Sequence, residues 1–214
     1  NDLVSISVDT PESELRPRVQ LYSWMGSSIK EDVNSGPETD AFISHHAIPF
    51  DGTFYVCIEG HYNSGGYLLR VDLARGIHLE TDALYSNDSV DGANALTLVQ
   101  GATAQMAATV AGTVMAPMGD DSDEDFFALG TLQSGNDVEL STVLPSESIL
   151  MPKVTLVDQS GVTVTDNDSI PEDGHFNGVI PVDGKYYAKV EATGGAGPWG
   201  QYLLAVTVSA SVFP

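Results

Sequence analysis

The sequence predicts an all-β protein built from antiparallel sandwiches, and three observations carry that prediction. An Asp-Gly pair twice launches a run of alternating apolar and polar residues: Asp51-Gly52 before residues 53–59, and Asp183-Gly184 before residues 185–191. Each run is followed, across a Gly-rich gap, by a second alternating run that opens on Tyr-Leu-Leu, at Tyr67 and at Tyr202. Gly accepts positive φ and Asp bonds the backbone ahead of it, so the pair makes a tight turn. Alternation is the period of a strand with one face buried. The third observation is negative: no amphipathic stretch of helical length stands out, while short apolar runs recur at the spacing of a sandwich.

Taken in order, residues 3–8 (Leu-Val-Ser-Ile-Ser-Val) read as a strand and Thr10-Pro11-Glu12-Ser13 as a loop. Residues 18–22 form the next strand, Trp24-Met25-Gly26 turns the chain, and 30–40 reads as a polar loop around Gly36-Pro37. A short strand at 41–48 carries His45 and His46, and the meander of 53–73 closes this half. An acidic, Asn-rich lead-in follows at 77–94, then strands near 95–99 and 107–115, then the run Asp120-Asp121-Ser122-Asp123-Glu124-Asp125. Asn1 already opens a strand pattern, so the chain reads as cut from something longer.

From Asn136 the order of the first half returns. Asn1-Asp2 matches Asn136-Asp137, Val8 matches Val143, and Glu12-Ser13 matches Glu147-Ser148. Leu15, Pro17, Val19, Leu21 and Gly26 match Leu150, Pro152, Val154, Leu156 and Gly161. Over residues 1–26, 49–59 and 67–73, 19 of 44 pairs are identical, a duplication with a period of about 135 residues. That period exceeds solenoid repeats and indicates tandem domains.

Composition narrows the function. Thirty acidic against eight basic residues leave a net charge of -22, which repels nucleic acid and anionic lipid; both need Lys/Arg clusters, and there are none. Such acidity suits a secreted or salt-adapted protein, or one that loads divalent cations. Cys57 is the single cysteine, so no intrachain disulfide and no Cys-based zinc site can form. Its place in the alternation puts it outward beside Tyr55 and Glu59, an exposed thiol with neither a base nor a second thiol near it in sequence. The uncharged stretch 92–119 has the length of a membrane span. Its Asn, Thr, Gln and Gly content and its acidic flanks read instead as two strands, so no membrane insertion is expected.

Four motifs lie in one order within 77–214: Asp123-Glu124-Asp125-Phe126-Phe127-Ala128-Leu129-Gly130, Val154-Thr155-Leu156-Val157-Asp158-Gln159-Ser160-Gly161, Asp183-Gly184-Lys185-Tyr186-Tyr187-Ala188-Lys189-Val190, and Gly200-Gln201-Tyr202-Leu203-Leu204. In these, and from Glu80 through Asn87-Asp88 to Ala93-Asn94, the chain resembles the bacterial pre-peptidase C-terminal domain, a jelly-roll-like β-sandwich attached to secreted proteases and other exported proteins. The resemblance covers nearly all of 77–214 and the later half of the domain pattern in 1–76. It implies two tandem jelly-roll-like antiparallel β-sandwich domains: 77–214 complete, with an acidic lead-in, and 1–76 incomplete, holding the later strands only. It further implies a non-catalytic accessory or adhesion module of a secreted or cell-surface protein, binding or spacing at an extracellular surface. In some members, including collagen-binding domains of secreted collagenases, calcium orders the lead-in against the sandwich. The expected partner is an extracellular polysaccharide or protein. The alternative is a structural subunit of an extracellular assembly or filament, joining like subunits by strand complementation.

The acidic run is the best site candidate. In an extended segment Asp121, Asp123 and Asp125 project to one side, where their carboxylates converge on a hard cation that removes their mutual repulsion. The candidate calcium set is Glu80, Asn87, Asp88, Asp121, Asp123 and Asp125; the competing reading is a solvated acidic loop. It is no EF-hand, because Phe126 stands at the sixth loop position and Leu132 at the twelfth. His45 and His46 face opposite sides of a strand and cannot chelate together without a bend. No G-x-S-x-G elbow, H-E-x-x-H helix or phosphate-binding Gly loop is present, so no enzyme is expected. Trp24, Tyr62 and Trp199 in loops, and Tyr55 and Tyr187 on outward strand positions, are candidates for stacking on sugars or packing against an extended peptide. The competing reading has the loop Trp residues capping the sandwich ends.

Overall fold

The protein is described by a computed structural model covering residues 2–101 and 105–210; Asn1, at the head of the repeat match, lies outside them. The described chain is all-β, its one helical piece being a short 3-10 turn at Pro171–Asp173. Its first six strands are β1 (Leu3–Asp9), β2 (Arg16–Ser23), β3 (Ser28–Asp32), β4 (Ala41–Ala47), β5 (Phe54–Tyr62) and β6 (Leu68–Ala74). They make two three-stranded sheets, in the orders β4-β1-β6 and β3-β2-β5. Val4, Ile6, Val8, Ala41 and Ile43 from one sheet meet Val19 and Leu21 from the other in a single apolar cluster, with Phe54, Val56 and Ile58 half-buried against it.

The remaining strands are β7 (His78–Leu79), β8 (Asn94–Ala95), β9 (Val99–Gln100), β10 (Met106–Thr113), β11 (Glu124–Leu132), β12 (Asp137–Val143), β13 (Met151–Asp158), β14 (His175–Val179), β15 (Gly184–Gly194) and β16 (Gln201–Ser209). One sheet runs β14-β12-β16-β10-β7, with β9 also pairing β10; the other runs β13-β15-β11-β8. Between them lies the larger core, around Val110, Phe127, Leu140, Leu156, Tyr186, Tyr202 and Leu204. The alternation that predicted these strands is literal in β16, where every second residue is buried. Pairing is antiparallel except for β7 on β10 and β8 on β11, which are parallel.

Three expectations are revised. Residues 30–32, the start of the stretch read as loop, belong to β3 and pair with β2. The strands placed at 95–99 and 107–115 are instead the short pieces β8 and β9 and the longer β10. The repeat match over residues 1–8 is one residue out of step. Val4 and Ile6 lie opposite Leu73 and Val71, as Val138 and Leu140 lie opposite Val208 and Val206, so β1 follows β12 with a shift of 134 while β6 follows β16 with 135. A one-residue slip exchanges the faces of a strand, and burial of the apolar face, not identity at Val8, decides the pairing. No helix among the described residues is long and apolar enough to cross a membrane.

Candidate metal centre

The lead-in connects the two larger sheets. It leaves one sheet at β7 and joins the other at β8. Two bonds close it on itself, because the Asn94 side chain accepts from the Thr81 N–H at 2.6 Å and donates to the Thr81 carbonyl at 3.1 Å. On the β10 side, Glu80 N–H donates to the Ala111 carbonyl. On the β11 side, Phe126 N–H donates to the Asn87 carbonyl at 3.0 Å. The acids of the lead-in are thereby held against the loop that joins β10 to β11.

Six polar side chains gather there: Glu80, Asp82, Asn87, Asp123 and Asp125 are buried and Asp88 is half-buried. One carboxylate oxygen each from Asp82, Asp88 and Asp123 lies within 4.8 Å of the others. Part of the set is anchored. Glu80 Oε1 accepts from Thr113 N–H at 2.7 Å, and Asp123 Oδ2 accepts from Met115 N–H. Asp82 Oδ1 accepts from Asn87 N–H at 3.4 Å, and Asp88 Oδ1 from Glu124 N–H at 3.5 Å. Asp125 is fully engaged, taking Asn87 Nδ2–H at 3.1 Å on one oxygen and the Tyr202 hydroxyl at 2.6 Å on the other.

What remains is a set of five buried oxygens with no hydrogen-bond partner: Glu80 Oε2, Asp82 Oδ2, Asn87 Oδ1, Asp88 Oδ2 and Asp123 Oδ1. Buried polar atoms are nearly always satisfied, and an unpaired buried carboxylate is among the costliest groups in a folded protein. None of the ion pairs among the described residues involves these acids. Gly112 of β10 keeps the space open, since a side-chain carbon there would run into the Tyr202 hydroxyl and come within 2.6 Å of Glu80 Oε2.

The electrostatics follow from the burial. Loss of solvent pushes Asp82 up to about 8, and the Asp125 charge adds to the push. Asp123 rises to about 10 for the same two reasons. Asp88 rises to about 6 by burial, eased by the Glu124 N–H. Asp125 rises to about 7 by burial, held down by its bonds to Tyr202 and Asn87. Glu80 is pushed well above the carboxylate range by burial and then by Asp125. Oxygen-only donors with trapped negative charge fit a hard cation such as calcium, which takes six to eight oxygens and accepts water among them. A soft transition metal would want nitrogen or sulfur, and neither is in the set.

Of the residues singled out in the sequence, Asp88 and Asp123 bring their carboxylates together with Asp82, and Glu80 and Asn87 each keep a buried, unpartnered oxygen in the same cluster. Asp125 is present but spent on its neighbours. Asp121 stands apart: it is exposed, and its backbone bridges Met118. Asp82, central to the cluster, was not among the candidates, although it follows Glu80 at the alternating spacing that brings two side chains to one side of an extended chain. A second grouping, Asp168, Asp173 and His175, is largely exposed. His45 does not meet His46 at a metal: it has φ 48°, and its Nδ1–H donates to the Leu79 carbonyl at 2.6 Å.

Trp24, Tyr55, Tyr62 and Trp199 are exposed, but neither ring pair among the described residues, Phe50 with Phe54 and His61 with Tyr62, joins two of them. Tyr187 is a correction. It is buried with Phe126 and Val157, because Val90 and Ala93 of the lead-in cover the outer face of that sheet.

No family model and no curated protein matches the chain. Among solved structures, it is similar to a periplasmic inhibitor of g-type lysozyme from Aeromonas hydrophila, at 19% identity and a TM-score of 0.36, over 54% of this chain and 98% of that one. The corresponding inhibitor from Salmonella Typhimurium is 16% identical with a TM-score of 0.36, over 54% of this chain and 96% of its own. The pre-peptidase C-terminal domain of a collagenase from Bacillus anthracis is 17% identical with a TM-score of 0.33, over 55% of this chain and 94% of its own. Likeness this remote leaves the functional reading to the atoms of the site.

Proposed function

We propose that the chain is a non-catalytic accessory module of a secreted or cell-surface protein. In this reading residues 77–214 are a calcium-stabilised sandwich and residues 1–76 a second, less complete copy. The observation that carries it is the set of five buried, unpartnered oxygens from Glu80, Asp82, Asn87, Asp88 and Asp123. One calcium ion among the Asp82, Asp88 and Asp123 carboxylates, whose oxygens lie within 4.8 Å of one another, gives those three their missing partner and cancels the repulsion among them. The ion ties the lead-in to the β10–β11 loop, so its chemistry is structural. The acids hold the lead-in against the end of β10 and the loop that follows it. An extracellular setting supplies calcium at the concentrations such modules use. The exposed rings of Trp24, Tyr55, Tyr62 and Trp199 are the surface available for a polysaccharide or protein ligand.

A ligand bound only by the folded state stabilises it by mass action, about 2.7 kcal/mol at one hundred times its Kd. For a chain of this size that is a rise of roughly 5–10 °C in Tm. Calcium is therefore expected to raise the melting temperature, chelator to reverse the rise, and Asp82→Asn or Asp123→Asn to remove most of it. A melting curve indifferent to both calcium and chelator overturns the metal reading.

A further inference from the structure

Two equivalent strand pairs end differently in the two halves of the molecule. In the larger half, β16 is flanked by β10, in register from Met106 opposite Val208 to Thr113 opposite Gln201. There β15 is flanked by β11, from Glu124 opposite Glu191 to Leu132 opposite Gly184. In the smaller half, among the described residues, β6 pairs with β1 alone and β5 with β2 alone, so both sheets end on open edges at the same side of the core. The residues that match across the repeat show the consequence. Leu204, Val206 and Val208 are 0%, 1% and 6% exposed, whereas Leu69, Val71 and Leu73 are 46%, 49% and 61% exposed. Between the two edges opens a cleft of about 540 Å³, lined by Val4, Ile6, Leu21, Val56, Val71 and Leu73. In the larger half, Val110 of β10 and Phe127 and Leu129 of β11 belong to the core at the corresponding place.

We infer that this cleft is a strand-acceptor groove, and that its occupant is a two-stranded polypeptide segment leading into β1 and patterned like β10 and β11. One strand pairs with β6 and the other with β5, each with apolar residues turned into the cleft. The occupant is identified by the larger half itself, where β10 and β11 fill this position and run on into β12 through residues 133–136. Pairing satisfies the free N–H and C=O groups of both edges and removes Leu69, Val71 and Leu73 from water. The inference rests on reading the two halves as copies of one design.

The test repeats residues 105–134 directly ahead of Asn1 in the full chain, with D123N and D125N in the added copy so that no unpaired acid is buried. Amide exchange in Phe54–Tyr62 and Leu68–Ala74 is expected to slow at least tenfold against the parent chain, and Val71→Lys to restore the parent rate. As a second measurement that does not depend on the extended chain folding, a synthetic peptide of residues 124–132 carrying D125N is added to the native chain. Slowed exchange in β5 supports the groove. Unchanged exchange in both experiments overturns it. A parent chain that is dimeric, with β5 and β6 already protected, also overturns it, because the occupant is then a second copy. Calcium-dependent melting measured on the same samples reports the metal site separately, so either reading fails without taking the other with it.

Discussion

Tyr202 shows how much of the centre depends on residues that touch no ion. Its ring is fully buried and its hydroxyl, pushed up by burial and by Asp125, stays protonated and donates to Asp125 Oδ2 at 2.6 Å. Asp125 in turn accepts from the Asn87 amide, whose Oδ1 is left buried and without a partner. Tyr202→Phe removes one donor and leaves a buried carboxylate oxygen unsatisfied, a cost of about 1–3 kcal/mol. The expected outcome is a lower urea midpoint with the calcium-induced rise in Tm still present, since no free oxygen is lost; loss of the rise as well would show Asp125 to be a direct ligand. The backbone is also set for the site. Leu84 and Tyr85 both adopt positive φ, 59° and 54°, which turns Tyr85 inward to bond the Ala116 carbonyl at 2.5 Å and leaves Leu84 exposed. Such conformations are uncommon for side chains of this size and persist where the surroundings determine them.

Among the elements, β5 and β15 show what alternation decides and where it stops. In β5 the inward residues Phe54, Val56 and Ile58 pack on the core and Tyr55, Cys57 and Glu59 face out, as the pattern predicts. Cys57 is a half-buried free thiol on that outer face. It is expected to react with a small maleimide in the native protein within minutes; labelling that waits for denaturant would mean the outer face of β5 is covered. In β15 the same alternation puts Tyr187 outward from its own sheet, yet Val90, Ala93 and Phe126 bury it. Outward from a sheet is not outward to water when another segment crosses over it.

At the scale of the whole molecule, the halves meet along the lead-in. Asp82 N–H donates to Ser44 Oγ at 3.0 Å, Leu84 N–H to the Ser35 carbonyl at 3.0 Å, and Phe42 packs with Tyr85 and Met115. The segment that carries the acids is therefore also the one that docks the smaller half. Its charge makes stability depend on pH with a definite sign. Without metal, Asp88, Asp125, Asp82 and Asp123 rise to about 6, 7, 8 and 10, so the folded chain keeps protons that the unfolded chain has released above about pH 4. Their contribution is present below the unfolded values and is lost as pH rises through the folded ones. Urea midpoints in chelator are expected to fall from pH 5 to pH 8. With saturating calcium, which binds the deprotonated acids, the midpoint at pH 8 is expected to recover. Equal slopes with and without calcium would separate the acids from the ion.

The sequence by itself determined the local matters: the all-β class, the Asp-Gly turns, and which residues of each long strand share a face, because period and turn chemistry are properties of neighbouring residues. It also brought Glu80, Asn87, Asp88 and Asp123 under suspicion, since acids crowd the two segments that carry them. It could not separate Asp121 from Asp82, as both stand at alternating spacing from another acid and only the packing of the lead-in buries Asp82 while Asp121 stays exposed. Nor could identity along the chain place β1, where the match at Val8 pointed to a shift of 135 and pairing with β6 required 134. The role of Asp125, the burial of Tyr187 and the open edges of β5 and β6 were likewise settled by the tertiary structure. Each depends on which segment lies beside another, and free energies of burial and pairing are decided by neighbours in space, far apart in sequence.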